Sequence, residues 1–301
     1  MNSTNYQLPI TNYQLGLIGH SLGHSLSPKI HTAALNACNL QGTYSLFPVH
    51  PGDKQGLKDL LARVRAGELH GLNVTIPHKQ NVIELMDGLT PTAQAIGAVN
   101  TIYLREDKLI GGNTDAPGFL SDLKRYMAES PSPQMGEGLG VRGKSALVLG
   151  AGGSARAVVY ALLNDGWNVT ISSRRLEQAQ ELAKSFPDYQ PALSIAEEVP
   201  ITNFTNFPLS TFHLIVNTTP LGMAPNTDQS PLPENLSLPS NAFVYDLVYN
   251  PRETKLVKLA RAQGLSATTG LGMLIEQAAL AFEIWTGHNP PRETMFQSVD
   301  Q

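Results

Sequence analysis

Ser145-Ala146-Leu147-Val148-Leu149 runs directly into Gly150-Ala151-Gly152-Gly153-Ser154-Ala155, and then into an alanine-rich stretch through Leu163. The first five residues are the short apolar run of a strand buried on both faces. The next six spell G-x-G-x-x-A at the point where strand gives way to helix. Gly150 permits a tight turn, Gly152 lets backbone approach a pyrophosphate, and Ala155 allows close helix–strand packing. Free N–H groups at the helix N-terminus then face the anion. The pattern alone is weak. Its position between a strand and a helix decides for a dinucleotide-binding fold.

The following strand selects the cofactor. Asn168–Ser172 leads into Ser173-Arg174-Arg175. An NAD site usually ends this strand in an acid that binds the ribose 2′-hydroxyl. Two guanidiniums and two hydroxyls suit a 2′-phosphate instead, and an acid would repel it. NADP is therefore expected, held by Ser173, Arg174 and Arg175. The plain alternative is that both arginines open a solvated helix.

Four more strand-like runs follow at Ala192–Ile195, Leu214–Asn217, Phe243–Leu247 and Ser266–Thr268, then a helix at Gly272–Trp285. Six strands with helices between them fit a Rossmann domain. Upstream, Ser130–Gly143 concentrates proline and glycine and reads as a linker. The first third alternates too. Leu15–Ile18, Thr43–Val49, Leu72–Ile76 and Val99–Leu104 read as strands. A helix is expected after Ser27-Pro28, with Ser27 as cap, another on Leu57, Leu60, Leu61 and Val64, and a third opened by Pro77. This alternation predicts a mainly parallel sheet covered by helices.

The chain has 301 residues, 42% hydrophobic and 15% charged, with net charge −4 and no basic block. That argues against nucleic acid as the main partner. The one cysteine, Cys38, excludes an internal disulfide framework and a multi-cysteine metal site. His20 and His24 are four apart, but Gly23 and the loop setting argue against a helical metal pair, so no metal is expected. No apolar run reaches the ~18 residues of a membrane span, and Met1–Ile10 is too polar for a signal peptide. No membrane partner and a cytoplasmic location are expected, and a homodimer stays open. Thr4–Leu8 and Thr11–Leu15 both read TNYQL; the first copy is expected to be a duplicated extension outside the fold.

Polar residues cluster in four motifs of the first 118 residues: His24-Ser25-Leu26-Ser27-Pro28, Asn73-Val74-Thr75-Ile76-Pro77-His78-Lys79, Gly97-Ala98-Val99-Asn100-Thr101 and Asn113-Thr114-Asp115-Ala116-Pro117-Gly118. Asn73 and Thr75 share one strand face, because side chains alternate. Each motif alone has a plain reading: Ser27 or Asp115 as a helix cap, Asn100 as a turn residue, Lys79 as a solvated lysine. Together they stand at βα junctions, where parallel sheets place ligands. Hydroxyls, amides, one cation and one carboxylate suit a neutral polyol carrying a single carboxylate.

The ordered set HSLSP, NVTIPHK, GAVNT, NTDAPG, GAGGSARA, SSRR, DLVYNP and GMLIEQA resembles the shikimate dehydrogenase family from Leu15 to about Trp285. The resemblance implies an α/β protein with an N-terminal substrate domain, a C-terminal Rossmann domain binding NADP, and a cleft between them. Residues 1–115 and 275–301 would form the first domain and 116–274 the second. It implies reversible NADPH-dependent reduction of 3-dehydroshikimate to shikimate in aromatic amino acid (chorismate) biosynthesis. Ser25 and Ser27 would hold the substrate carboxylate. Thr75, Asn100 and Asp115 would bind ring hydroxyls, with Asn73 close by. Lys79 would be the catalytic lysine, oriented by Asp115. Tyr249 and Gln277 would complete the pocket, and Leu247 and Gly270 would flank the nicotinamide. Two alternatives stay open: a quinate/shikimate dehydrogenase with relaxed substrate and NAD use, and a catalytically silent NADP-binding regulator.

Overall fold

The computed structural model describes residues 10–129, 143–196 and 209–300. The first TNYQL copy and residues 130–142 of the expected linker lie outside the described residues. The described residues form two compact units, one within residues 1–89, 99–112 and 278–301, the other within 90–98 and 113–277.

The first unit holds β1 (Tyr13–Gly19), α1 (Ser27–Ala37), β2 (Gly42–Pro48), α2 (Lys54–Arg65), β3 (Gly71–Val74), β4 (Gly88–Leu89), β5 (Thr101–Arg105) and β6 (Lys108–Gly112). The sheet order is β2-β1-β3-β5-β6-β4. β1 runs parallel to β2 and β3, and β6 runs parallel to β4. β5 is antiparallel to both its neighbours, so one strand opposes five. The mainly parallel sheet is therefore present with a hairpin that the sequence hides. Glu106 and Asp107 form the two-residue turn, both at positive φ (50° and 58°). Such turns usually advertise themselves as Asn-Gly or Asp-Gly.

Pro77 does not open an α-helix. Turns lead to a single 3-10 turn at Ile83–Leu85. The Lys79 carbonyl is taken by the Val99 N–H (2.7 Å), and the Ile83 N–H that an α-helix would bring to it goes to the Gln80 carbonyl instead (3.1 Å). Ser27 is not the cap of α1 either. Leu26 is the capping position, and the Ser25 hydroxyl accepts the Ser27 N–H (3.2 Å).

The second unit begins with α3 (Pro91–Ile96) and α4 (Asp115–Glu129). Its strands are β7 (Ser145–Leu149), β8 (Asn168–Ser172), β9 (Leu193–Ile195), β10 (Leu214–Asn217), β11 (Phe243–Asp246) and β12 (Ala267–Thr269). Helices α5 (Gly153–Asn164), α6 (Leu176–Lys184) and α7 (Lys255–Ala262) connect them. All five pairings are parallel, in the order β12-β11-β10-β7-β8-β9. The order reverses between β7 and β10, the switch point where open α/β sheets bind ligands. Alternation splits β7 between two cores. Ala146 and Val148 pack with Val158 and Phe119 on one face, Leu147 and Leu149 with Ile215 and Leu256 on the other. Helix α8 (Leu271–Thr286) starts in the second unit and ends in the first. A short helix α9 (Arg292–Gln297), not foreseen in the sequence, follows in the first unit.

Candidate active site

In the first unit, Asn73 on β3 is the hub of the polar residues. Its Nδ2 donates to the Asn100 carbonyl (3.2 Å), and its Oδ1 accepts from the Tyr44 hydroxyl (2.8 Å). The Asn100 carbonyl also takes the Val74 N–H (2.8 Å), while its own N–H donates to Gly112. Lys79 joins through the Val99 N–H, one residue before Asn100. Bonds to main-chain groups thus tie Lys79, Asn100 and Asn73 into one frame. Ser27, Asn73, Lys79 and Asn100 are all buried, between 2% and 9% exposed. Thr75 follows β3, and its N–H donates to Ile18 (2.8 Å). Its half-buried hydroxyl bonds no described group. The His78 ring is engaged elsewhere, with Nε2 bonded to the Val49 carbonyl (2.8 Å).

Asp115 opens α4 in the second unit and is 5% exposed. It is not the cap. Asn113 Oδ1 accepts the N–H groups of Asp115 (3.0 Å) and Ala116 (3.3 Å), and Asn113 Nδ2 donates to Ala98 (3.0 Å). The Asp115 carboxylate is thereby spared that duty. One turn on, Gly118 lies against Gln277 of α8, so the helices carrying the two predicted ligands touch. Gln277 Nε2 donates to the Leu274 carbonyl (2.8 Å).

The dinucleotide loop has the geometry that its sequence demands. Gly150 sits at φ +112°, and a Cβ there would come 2.6 Å from Thr218 Oγ1. A Cβ on Gly152 would meet nothing within 4 Å, so open space borders the backbone at the N-terminus of α5. Ala155 is fully buried. Ala151, Gly153 and Ser154 belong to the same turn and the first residues of α5. After β8, Arg174 and Arg175 are exposed and Ser173 is half-buried. Neither arginine is paired with a carboxylate among the described residues. A bare pair of guanidiniums beside an open glycine turn fits a dinucleotide with a 2′-phosphate.

Leu247 and Gly270, expected on the nicotinamide side, are in contact, the glycine lying against the Leu247 carbonyl. Tyr249 is half-buried two residues beyond Leu247, and burial pushes its phenol pKa up.

Sequence reasoning missed the side chains that shape these loops. Asp246 at the end of β11 accepts from Asn217 Nδ2 (2.8 Å), the Val248 N–H (3.0 Å) and Thr254 Oγ1 (2.6 Å). Asn217 Oδ1 in turn accepts from the Thr219 N–H and hydroxyl (2.9 and 2.7 Å). One carboxylate therefore fixes the loops after both β10 and β11. Burial raises its pKa to about 6, opposed by the bonds from Thr254, Val248 and Asn217. The only signal in the sequence was a carboxylate ending an otherwise apolar strand.

Among the described residues, no group of three or more His, Cys, Asp or Glu could hold a metal ion. None of their helices is long and apolar enough to cross a membrane.

A parallel sheet in this order, with an open glycine turn and an arginine pair, defines a nicotinamide-dinucleotide-binding α/β protein; the buried lysine and amides equip it as an oxidoreductase. Residues 17–102 match the shikimate dehydrogenase substrate binding domain. Residues 135–204 match the shikimate / quinate 5-dehydrogenase family, and residues 270–299 the shikimate 5′-dehydrogenase C-terminal domain. A shikimate dehydrogenase (NADP(+)) of Carboxydothermus hydrogenoformans is 41% identical over 286 residues, covering 94% of this chain and 95% of that protein. The crystal structure of shikimate 5-dehydrogenase from Thermus thermophilus with NADP(H) and shikimate is 37% identical, with TM-score 0.79, covering 95% of this chain and 98% of that one. Quinate dehydrogenase from Corynebacterium glutamicum with NAD is 30% identical, with TM-score 0.80 and coverages of 95% and 98%. The chain belongs to the shikimate dehydrogenase family.

Proposed function

We propose that the chain catalyses the reversible NADPH-dependent reduction of 3-dehydroshikimate to shikimate. The observation that carries this is the frame at the end of β3 that holds buried Lys79, Asn100 and Asn73 together through bonds to main-chain groups. Residues 1–115 and 275–301 serve the substrate, and residues 116–274 serve the cofactor.

Ser25 and Ser27 hold the carboxylate. The Ser25 hydroxyl accepts the Ser27 N–H at the start of α1, where free N–H groups also favour an anion. Thr75, Asn100 and Asp115 bind ring hydroxyls, helped by Asn73, while Tyr249 and Gln277 close the pocket. Gly150–Ala155 cradle the pyrophosphate, Ser173, Arg174 and Arg175 take the 2′-phosphate, and Leu247 and Gly270 border the nicotinamide. When bound, NADPH supplies the hydride. Lys79 donates the proton that the new alkoxide needs, and removes it in the reverse direction. Asp115 holds the substrate hydroxyl and orients that exchange. Donors fixed before the substrate arrives need no reorganisation as charge develops.

A matrix of shikimate and quinate against NADP and NAD tests this reading, scored by kcat/KM. Shikimate with NADP is expected to exceed the other three pairs. Comparable rates with quinate and NAD would instead make it a relaxed quinate/shikimate dehydrogenase. Absence of NADPH formation would make it a silent NADP-binding regulator. NADPH is a cytoplasmic reductant, and we place the enzyme there.

A further inference from the structure

Beneath the substrate residues lies a layer with no assigned task. His31 of α1 is fully buried and lies face to face with Tyr44 of β2, ring centroids 4.2 Å apart and planes 3° from parallel. Trp285 of α8 also packs against the imidazole, ring centroids 5.4 Å apart, and its Nε1 donates to the Ile102 carbonyl (3.2 Å). Neither imidazole nitrogen has a hydrogen-bond partner among the described residues. Burial lowers the His31 pKa to about 3, with the neighbouring Asn73 side chain opposing the shift, so the ring is neutral. Burial also pushes the Tyr44 phenol above its ordinary pKa, with the adjacent Ser27 side chain opposing. The phenol is therefore a protonated donor, 8% exposed and set between two of the proposed substrate residues.

Asn73 has one acceptor oxygen and two N–H donors. The Asn100 carbonyl can accept only a donor, so it claims one N–H. Tyr44 donates to the oxygen at 2.8 Å. A flipped amide would set its oxygen against the Asn100 carbonyl. The two partners thus hold one orientation, with the second N–H left over and the residue still 5% exposed.

We propose that Tyr44 is a positioning residue of the substrate site: its hydroxyl locks the Asn73 amide so that a single N–H is offered to a substrate hydroxyl oxygen, with the His31 ring as its rigid backing. This rests on the assignment of Asn73 to the substrate made above. Without the phenol oxygen the amide loses half of its orientation, and the bond to substrate is made at the cost of ordering it.

Tyr44→Phe keeps the ring and removes only the oxygen. The expected result is a fivefold to thirtyfold rise in KM for shikimate, less than a threefold fall in kcat, and an unchanged KM for NADP. In the Asn73→Ala background the same substitution should change KM for shikimate by less than twofold, because the residue it orients is gone. Equal effects in both backgrounds would overturn the proposal, as a packing role predicts. So would an unchanged KM in Tyr44→Phe, or a Tyr44→Phe chain that no longer binds NADP, since the hydroxyl would then serve the fold. If Asn73→Ala alone leaves KM unchanged, the assignment of Asn73 itself fails, and the proposal with it.

Discussion

Gly118 of α4 touches Gln277 of α8: a Cβ on the glycine would lie 2.8 Å from the Gln277 backbone nitrogen and 2.9 Å from its Cβ. Asp115 stands one turn before Gly118, so the contact sets the spacing between two proposed substrate ligands. Gly118→Ala should push the helices apart. The expected cost is about 1–3 kcal/mol of stability, typical of overpacking, and roughly a tenfold fall in kcat/KM for shikimate. Denaturant midpoints and steady-state rates check both. Unchanged kcat/KM would show that the spacing does not matter.

Lys79→Ala should lower kcat by about a hundredfold or more, the usual span of lost general acid–base catalysis. KM should move far less, because the role is realised in the transition state. A kcat within about tenfold of the parent, or ~1.4 kcal/mol of barrier, would remove Lys79 from the chemistry.

Replacing Arg174 and Arg175 together by Ala should raise KM for NADP at least about tenfold, since bonds to charged groups are worth about 1.5–3 kcal/mol each. KM for NAD should change little, because NAD lacks the 2′-phosphate. An equal change for both cofactors would mean that the arginines serve the loop.

Asp246 leads to a stability prediction whose sign is unusual for a carboxylate. Its pKa is raised from 3.8 to about 6. Between those values the native state holds more protons than the unfolded chain. Its contribution is therefore complete below pH 3.8 and is lost as pH rises through about 6. The upper size is about 3 kcal/mol. In Asp246→Asn, the amide oxygen can accept from Asn217 and Val248 while its nitrogen donates to Thr254. That variant should fold and should lack this fall. Urea midpoints for both chains between pH 4 and 7 read the difference, and parallel curves would refute it.

Local patterns carried much of the fold. Three strands of the second unit, at Ser145–Leu149, Asn168–Ser172 and Leu214–Asn217, have the bounds expected from the sequence, the first and the last as apolar runs. Strands buried on both faces announce themselves by unbroken apolar composition. The expected helix at Pro77 failed for a non-local reason, the capture of the Lys79 carbonyl by Val99. The β5–β6 hairpin was missed because Glu106 and Asp107 adopt positive φ without a sequence that advertises it. Asp246, by contrast, stood in a quoted motif, but its three donors come from residues up to 29 positions away.

The sequence alone determined the G-x-G-x-x-A turn between strand and helix, and the choice of arginines over an acid after β8. Both depend on neighbours in the chain, and steric freedom at glycine and charge at a strand end need no distant partner. Only the tertiary structure decided which way the Asn73 amide points. Tyr44 lies 29 residues away and Asn100 lies 27 away, and an amide has no preferred face until both are packed around it.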